Sequence, residues 1–438
     1  MSEPLTAQKR WSLSLRHLFL FPVWPEPRST AAGSRALFFL DSLRTGRPQD
    51  QVCVAACSSV EHAACVELKQ KYPEFQFLSV APNDSAFDTF IREYQPDIVQ
   101  YERFIIEEQF GWRVFANQPR ALQLLDTSDL HFLRRARGKG QLLDDSLDAQ
   151  SLFKLEGAEK GDWLREMASI LRVRHSFLVS DFEEKLLQKI PGFPTSKVSV
   201  LRWGIEAPKT PPRPQSARSG VALIGNFRHP PNRESVHFFR KQLWPQLRQA
   251  IPDLRVDIYG AYPSREDFAL HRPEEGFNIC GHDPREAKEF LGGYLALLVP
   301  LAFGAGIKGK VLDAWAAGTP VLTTEVGAEG LALDSRRNPP AFAGLICQRD
   351  DPASWVAALK GLKESPDDFS RLQASGLQVL KEFFDQEKLG RAYLGMIERF
   401  LGNSLEPQDF FQELLQVEER HAKRALSRYI ELKESLKP

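Results

Sequence analysis

The clearest chemical pattern in the chain is the stretch 294–324, which gathers glycines, lysines and a carboxylate around one predicted turn. Its residues predict an apolar strand, a glycine-rich turn, a helix from about Lys310 and a second, β-branched strand. Glycines let a backbone approach a ligand closely, and a helix N-terminus presents unpaired N–H groups with a partial positive charge. The turn is therefore predicted to bind an anion, and a phosphate fits best. The turn glycines are Gly304, Gly306 and Gly309.

Charged side chains extend this hypothesis. Lys308 and Lys310 bring two positive charges to the start of the helix, and Asp313 supplies a carboxylate that could accept hydrogen bonds from sugar hydroxyls. Two alternatives stay open. A glycine-rich turn can be plain structure, and the residues from Gly304 onward also match the dinucleotide pattern G-x-G-x-x-G, with Glu325 placed as a ribose-binding acid. In a dinucleotide fold that pattern directly follows the first strand, whereas several predicted strands precede it here.

Length and composition limit the classes of protein that fit. A chain of 438 residues predicts two domains, each with its own core. The 57 basic and 57 acidic residues cancel, which argues against a general nucleic-acid binder. The five cysteines form no C-x-x-C pair and are predicted to be reduced core residues. The longest apolar run is too short to span a bilayer and is interrupted by Pro300. A cytoplasmic protein is expected, with contact at the inner face of the membrane left open.

Strands and helices alternate along both halves of the chain, which predicts two mostly parallel sheets with helices on their faces. A proline-rich run without an apolar pattern separates the two series and is predicted to be the linker. The predicted ranges are 1–207 for the first domain, 208–219 for the linker, 220–385 for the second domain and 386–438 for C-terminal helices. The predicted strands are His17–Phe21, Gln51–Cys57, Phe75–Val80, Ile98–Tyr101, Leu122–Leu125, Ser176–Ser180, Val198–Leu201, Val221–Ile224, Arg255–Tyr259, Phe277–Cys280, Tyr294–Val299, Val321–Thr324 and Gly344–Cys347.

The first domain has its own candidate residues. A predicted strand ending at Leu125 delivers Asp129 and His131 to its carboxyl end, where doubly wound sheets bind ligands. Small residues around Gly33 follow the first strand and would also allow close approach of a ligand. The alternative for the first pair is a helix capped by Ser128 or Asp129, with Arg134, Arg135 and Arg137 on its solvent face. The charged, poorly periodic stretch 138–161 is interpreted as a loop on the acceptor side.

A last amphipathic helix is predicted over 404–438. Because its polar face mixes acidic and basic residues, the helix is expected to pack within the chain or against a helical partner, a dimer included, more readily than on an anionic membrane. Its predicted apolar stripe is Phe411, Leu414, Leu415, Ala422, Ala425, Leu426 and Tyr429.

Four segments carry a resemblance to a known family. The stretch 294–324 is similar to the C-terminal signature of the family-4 (group 1) glycosyltransferases, which in one branch reads G-A-G-I-K-x-K-V-L-E-A followed by A-x-G-x-P-V-V-x-T. The octapeptide 225–232, GNFRHPPN, resembles G-N-F-x-H-P-P-N of that branch. The stretch 126–137 is similar to the family's D-x-x-D-x-x-x-L-R-x-x-R, and 203–206 to the link that ends its first domain.

This resemblance implies the GT-B fold, in which two Rossmann-like domains face a cleft and the helix from Gln386 crosses back to the first domain. It implies transfer of a sugar from a nucleotide-diphosphate sugar with retention of configuration. No metal or other cofactor is expected, because helix N-termini and lysines can stabilise the leaving diphosphate and no His, Asp or Cys cluster has metal-ligand spacing. The implied catalytic residues are Asp129, His131 and Lys310, with Gly33 on a loop facing donor and acceptor. The implied nucleotide-sugar-binding residues are Gly225, Asn226, Arg228, Gly304, Gly306, Lys308, Lys310 and Asp313.

The chain departs from the family pattern at three residues. Of the two glutamates that the family places eight residues apart, the first falls on Ala305 and the second on Asp313. Asn226 replaces the usual arginine, so Lys308 and Lys310 are predicted to supply the missing charge. Ala305 keeps open a nucleotide-sugar-binding protein without catalysis, and the glycine pattern keeps open an NAD(P)-dependent oxidoreductase. The nucleotide, the sugar and the acceptor, whether glycan, lipid-linked or protein, are not determined by the sequence.

Overall fold

The computed structural model describes residues 11, 13–142, 149–206, 208, 210–333, 341–402 and 409–436. Two parallel sheets dominate it, one of seven strands in the order β3-β2-β1-β4-β5-β6-β7 and one of six in the order β10-β9-β8-β11-β12-β13. The predicted pair of parallel sheets is confirmed. The strands are β1 Arg16–Phe21, β2 Gln51–Ala56, β3 Gln76–Ser79, β4 Ile98–Glu102, β5 Leu122–Asp126, β6 His175–Leu178, β7 Val198–Val200, β8 Val221–Ile224, β9 Val256–Tyr259, β10 Phe277–Gly281, β11 Ala296–Val299, β12 Val321–Thr323 and β13 Leu345–Ile346.

Helices cover both sheets, so the central strands are buried on both faces, as a parallel sheet requires. A π-helical stretch, Phe239–Leu243, joins α9 to α10. The helices are α1 Ala31–Gly46, α2 Ala63–Lys71, α3 Ala86–Tyr94, α4 Phe104–Asn117, α5 His131–Gly138, α6 Ala149–Phe153, α7 Gly157–Arg172, α8 Asp181–Gln188, α9 Pro230–Phe238, α10 Trp244–Ala250, α11 Arg265–Phe268, α12 Ala287–Leu291, α13 Gly309–Ala316, α14 Glu325–Ala328, α15 Pro352–Glu364, α16 Pro366–Phe383, α17 Gln386–Gly402 and α18 Asp409–Ser435.

Helix α17 leaves the second sheet and packs on α1 of the first. Its Tyr393 is fully buried, lies 4.8 Å from the ring centre of Phe39, and donates a hydrogen bond of 2.8 Å to Gln100. Beside the crossing, Gly204 approaches so closely that an added Cβ would lie 2.2 Å from the Cα of Gln386. The end of the chain therefore completes the hydrophobic core of the first sheet.

In the first half, one helix was not predicted from the sequence, and the interpretation of 138–161 as a loop is wrong. Helix α4 was not expected, because buried polar residues such as Glu107 and Arg113 interrupt the apolar pattern of its sequence. The stretch 138–161 is not a continuous loop, because it contains α6 and the first turn of α7. Helix α5 has Leu130 as its N-cap without a side-chain cap bond, and Arg137 on this helix is buried instead of facing solvent.

The C-terminal helix α18 packs on α4 and α7, but through its polar face. Gln416 donates to the backbone oxygen of Arg172 at 2.8 Å, and the hydroxyl of Ser427 accepts from Arg113 at 2.6 Å. The expected apolar stripe does not form the contact, because Leu414, Leu426 and Tyr429 are all exposed. The side chain of Phe411 lies outside the described residues, and a helical partner or dimer stays a prediction. Within the described ranges, no helix has the length and apolarity needed to cross a bilayer.

Helix packing over the second sheet gives a first prediction. In α16, a Cβ added at Gly376 would lie 2.4 Å from Trp315 Cδ1, whereas one added at Gly361 in α15 would meet no atom within 4 Å. We expect Gly376→Ala to destabilise the protein by about 1–3 kcal/mol through overpacking. Gly361→Ala, the matched control, should stabilise it by up to ~1 kcal/mol through helix propensity. Urea unfolding of both variants measures this, and equal stability of the two would contradict the packing described.

Candidate functional site

The two sheets face each other across a cleft of about 630 Å³. Its walls include the loops that follow β1, β4, β5 and β7 in the first sheet and β8, β9, β10 and β11 in the second. Strand order reverses between β1 and β4, and again between β8 and β11. Open α/β sheets bind ligands at such reversal points, beyond the carboxyl ends of the strands. The cleft is therefore the candidate active site.

The glycine-rich turn between β11 and α13 touches both the cleft and the opposite sheet's loops. Gly306 has φ 63°, and a Cβ added there would lie 2.9 Å from the Cβ of Asp129. A Cβ at Gly309 would lie 2.8 Å from that of Ala31. These two glycines thus allow the two halves to approach each other. Gly304 and Gly309 line the cleft, whereas Gly306 faces the first half.

The two lysines of the turn differ in their partners. Lys308 is buried and donates to the backbone oxygen of Gly306 at 2.5 Å, so its ammonium group closes the turn. Lys310, at the start of α13, donates to the side-chain oxygen of Asn232 at 2.7 Å and lines the cleft. Burial, and then the neighbouring Lys308, lower the pKa of Lys310 to about 7. Lys308 also lines the cleft, and burial lowers its pKa as well. An incoming anion at the start of α13 would stabilise the charged form of Lys310.

Asp313 lies one turn further along α13 and lines the same part of the cleft. Burial raises the pKa of Asp313 to about 7, opposed by Lys288 and reinforced by Glu286. A carboxylate in such surroundings gains most from hydroxyl donors that stabilise its charge. The N-terminus of α13 and Lys310 thus supply positive charge on this wall. Asp313, one turn further on, supplies a hydrogen-bond acceptor beside them.

The turn after β8 forms the adjoining part of this wall. A Cβ added at Gly225 would lie 2.5 Å from Asn232 Cγ, which explains the glycine. The side-chain oxygen of Asn226 accepts from the backbone N–H of Arg228 at 2.9 Å. The guanidinium of Arg228 lies 3.9 Å from the ring centre of Tyr262. Gly225, Asn226 and Arg228 all line the cleft, as predicted from the sequence for nucleotide-sugar-binding residues, although their roles remain predictions.

On the first-half wall, the structure separates the sequence-based candidates. Asp129 lines the cleft and forms an ion pair with Arg134, and the ring of His131 lies 3.2 Å behind it. Burial alone would raise the pKa of Asp129, but Arg134 and His131 hold it well below its usual value. Neither His131 nor Gly33 is among the cleft-lining residues. A Cβ added at Gly33 would lie 2.4 Å from the backbone of Glu26, so local packing accounts for that glycine.

Buried polar contacts hold the two walls together. The same oxygen of Glu183 accepts the N–H of Leu130 at 2.9 Å and that of Gly306 at 3.1 Å. Burial raises the pKa of Glu183 to about 7. Arg137 donates to the backbone oxygen of Gly304 at 2.8 Å and forms a two-bond ion pair with Glu329. The glycine-rich turn is therefore fixed to the first half by hydrogen bonds as well as by shape.

Two cleft-lining residues were missed by the sequence reasoning, Arg103 after β4 and His229 at the N-cap of α9. Tyr262, which contacts the cleft-lining Arg228, was missed as well. Glu183 and Arg137 read as ordinary helix residues, because their partners lie more than 100 residues away in sequence. Arg103 could have been predicted as a site residue, because it directly follows the carboxyl end of β4, where parallel sheets bind ligands. In the described part of the chain, no group of three or more His, Cys, Asp or Glu side chains could hold a metal ion.

Comparisons with known proteins agree with this architecture. Residues 218–365 match the family described as group 1 glycosyl transferases. Glycogen synthases of two Mycobacterium tuberculosis strains are 26% identical over 207 residues, covering 45% of this chain and 47% of theirs. The match therefore spans about half the length of these relatives.

Solved structures share the fold across most of the chain. Sucrose-phosphate synthase from Thermosynechococcus elongatus superimposes with a TM-score of 0.62 at 15% identity, covering 88% of this chain and 99% of the other. Anabaena HepE, in complex with UDP and glucose, gives 0.63 at 12% identity, covering 88% and 100%. The chain has the GT-B fold with a C-terminal helical extension, so the predicted fold class is confirmed.

The buried ion pair between the walls gives a second prediction. The side chains of Arg137 and Glu329 are 7% and 9% exposed. Arg137→Met leaves a buried carboxylate without its partner and should destabilise the protein by about 3–5 kcal/mol. Replacing both residues by Met should recover most of that loss. The surface pair Arg391–Glu387, 73% and 85% exposed, is the control, and Arg391→Met should cost less than ~0.5 kcal/mol. Urea unfolding measures the stability of each variant. A double variant as unstable as Arg137→Met would contradict the prediction.

Proposed function

We propose that the protein is a glycosyltransferase that binds a nucleotide-diphosphate sugar on the second-half wall and an acceptor hydroxyl on the first. The observation that carries this proposal is the arrangement on α13. The helix N-terminus, Lys310 and Asp313 lie within about one turn of one another on a single cleft wall, inside the range 218–365 that matches the group 1 family. An anion at the helix start and a ribose one turn further on would satisfy all three groups.

The proposed reaction is displacement at the anomeric carbon. The acceptor oxygen bonds to that carbon, the bond from the carbon to the diphosphate oxygen breaks, and the acceptor proton passes to the leaving phosphate. Stabilising the charge on the leaving diphosphate is then the main electrostatic task, and Lys310 with the α13 N–H groups suits it. The resemblance to family 4 supports retention of configuration. Asp129 suits the acceptor side, because its low pKa keeps it an ionised hydrogen-bond acceptor.

The reaction is proposed to need no metal, because protein cations meet the diphosphate charge. Lys310 and Arg228 both line the wall where the diphosphate would lie. HepE was solved with UDP and glucose, which makes a uridine nucleotide the first donor to test. A cytoplasmic site of action is part of the same proposal.

A second candidate is a nucleotide-sugar-binding protein without transfer activity, and Ala305 favours it. Where the family pattern has its first glutamate, this chain places a methyl group that lines the cleft and is 8% exposed. A carboxylate that would contact the donor sugar is therefore missing from that wall. Binding without turnover would distinguish this candidate from an enzyme.

Two measurements test the proposal in order. Thermal-shift screening against UDP-, GDP-, ADP- and TDP-sugars identifies the donor, since a ligand at 100 times its Kd adds about 2.7 kcal/mol of stability. Release of the nucleoside diphosphate from that donor, with acceptor mixtures and with excess EDTA, then tests transfer and metal independence. No stabilisation by any nucleotide sugar rejects both candidates. Stabilisation without turnover selects the binding protein, and activity lost in EDTA but restored by Mg²⁺ or Mn²⁺ rejects metal independence.

Lys310 should carry the larger catalytic effect of the two lysines. Lys310→Met removes a contact that strengthens as the diphosphate leaves, so kcat should fall about 30- to 1000-fold, which corresponds to ~2–4 kcal/mol. KM should change less. Lys308→Met, which breaks bonds within the turn, should lower stability more than kcat. Steady-state kinetics with thermal denaturation compare the variants, and a normal kcat for Lys310→Met would place the diphosphate elsewhere in the cleft.

Asp313 should act on the nucleoside half of the donor. Asp313→Ala should weaken UDP and UMP equally, by about 1.5–3 kcal/mol, because both carry the same ribose. Since the pKa of Asp313 is raised to about 7, the charged form of Asp313 becomes populated as pH rises. The affinity for uridine, which has no phosphate to interact with Lys310, should therefore increase from pH 6 to pH 8. That increase should disappear in Asp313→Asn. Titration calorimetry at the two pH values measures both effects, and an unchanged Kd in a folded variant removes Asp313 from the ribose site.

A further inference from the structure

Arg103 has a backbone conformation that is unusual for any residue except glycine. It follows β4 directly, with φ 69° and ψ 152°, a region that a side chain makes sterically costly. Its N–H donates to the backbone oxygen of Asp126 at 2.7 Å, which fixes the strained turn. Ser128, after the neighbouring strand β5, also has a positive φ of 60°. Strain of this kind persists where it serves a site, so the side chain is the feature to explain.

The strained turn directs Arg103 into the cleft. The residue lies at the reversal point between β1 and β4 and belongs to the cleft lining, with its side chain 32% exposed. Its Nε lies 3.2 Å from an oxygen of Glu102, yet this nitrogen is buried without a hydrogen bond. Within the described ranges its guanidinium donates no hydrogen bond. An arginine placed only to pair with its sequence neighbour would not need a glycine-type backbone.

Charged groups of both signs surround Arg103. Glu102, Asp126 and Asp129 of the first half interact with it electrostatically, and positive charges lie on both walls. Arg134 on the same wall is occupied by Asp129, and Lys310 faces from the opposite wall. Burial is the main reason that the pKa of His229, the N-cap of α9, falls to about 4. The positive charges of Arg134, Lys310 and Arg103 lower this pKa further, and Asp129 opposes them. This imidazole is therefore neutral at physiological pH. In the part of the chain that the structure describes, neither Arg103 nor Lys310 hydrogen-bonds to a carboxylate, although Glu102 forms an ion pair with Arg103 at 3.2 Å. Lys308 and Arg228 add further positive charge to the same cleft lining.

We propose that Arg103 binds a phosphate-type anion from the first-half wall, opposite Lys310. This proposal rests on the strained backbone of Arg103, its position in the cleft and its guanidinium, which donates no hydrogen bond within the described ranges. It deepens the proposed function by adding a residue that the family-like motifs do not include. Two sources of such an anion fit: the diphosphate of the donor and an anionic group on the acceptor. An arginine fork suits either, because it can donate two parallel hydrogen bonds to phosphoryl oxygens.

Calorimetric titration of the full chain with inorganic phosphate and with pyrophosphate tests the proposal, since neither probe needs a nucleoside site. Wild type should bind at least one of the two anions, and Arg103→Met should weaken that binding about 10- to 150-fold, the range of a charge-assisted hydrogen bond. Arg92→Met is the charge control, because Arg92 is an exposed cation on α3 outside the cleft lining, and it should bind as wild type does. If wild type binds neither anion, or if Arg103→Met binds both normally, the proposal is wrong.

Replacing Arg103 by glycine distinguishes a role in anion binding from a role in supporting the fold. Arg103→Gly should lose the same anion affinity, and its melting temperature should be above that of Arg103→Met, because both variants leave Glu102 without its ion-pair partner but only the glycine relieves the backbone strain. Gln95→Gly, which relaxes a positive φ of 47° outside the cleft, is the matched backbone control and should keep full affinity. A large fall in melting temperature with unchanged affinity would show that Arg103 only supports the fold, and would overturn the proposal.

Nucleotides then identify the source of the anion. If Arg103→Met weakens UDP but not UMP, the residue contacts the donor diphosphate. If UDP binds normally and only phosphate binding to the UDP-saturated protein is lost, the residue contacts an anionic acceptor group. A protein that binds phosphate or pyrophosphate through Arg103 but binds no nucleotide would contradict the glycosyltransferase proposal while supporting the anion site. The two hypotheses can therefore fail independently.

Discussion

The close contact between the glycine-rich turn and the first-half loops is the constraint on which the cleft depends. One buried oxygen of Glu183 accepts N–H groups from Leu130 and Gly306, and so joins the loop after β5 to the turn after β11. Because a buried carboxylate is stable only when its hydrogen bonds are satisfied, the two loops hold each other in register. The width of the cleft between Asp129 and Lys310 follows from this arrangement. The glycines are needed for it, since a side chain at Gly306 would separate the walls.

Burial gives the cleft two groups whose charge a ligand can set. The pKa of Lys310 is lowered to about 7 and that of Asp313 is raised to about 7, in both cases chiefly by burial. Each group is therefore partly neutral near physiological pH when the cleft is empty of counter-charge. An anion next to Lys310 would raise the pKa of this lysine and promote proton uptake, whereas donors next to Asp313 would lower its pKa and promote proton release. Ligand binding in this cleft should therefore be linked to opposing proton exchanges.

Sequence reasoning reached the elements whose signals are local. The alternating apolar runs predicted the strands of both sheets, and the glycines with Lys310 and Asp313 marked one wall of the cleft, because strand, turn and helix are adjacent in the chain. It failed where buried polar residues belong to distant partners. Helix α4 carries Glu107 toward Arg172, and such residues hide its apolar face. Glu183 was missed for the same reason. The packing of α18 through its polar face was not predicted either, because its polar partners are also distant in sequence.

The path of the chain through α17 also bears on how the protein forms during synthesis. Tyr393 and Ile397 belong to the same buried cluster as Phe39 and Phe177 of the first sheet. Domains that emerge first from the ribosome usually fold first. Here the first sheet's core stays incomplete until 386–402 has emerged, after the whole second sheet has been made. Aromatic residues of the first half such as Phe39 and Phe177 therefore lack part of their packing until α17 has been made.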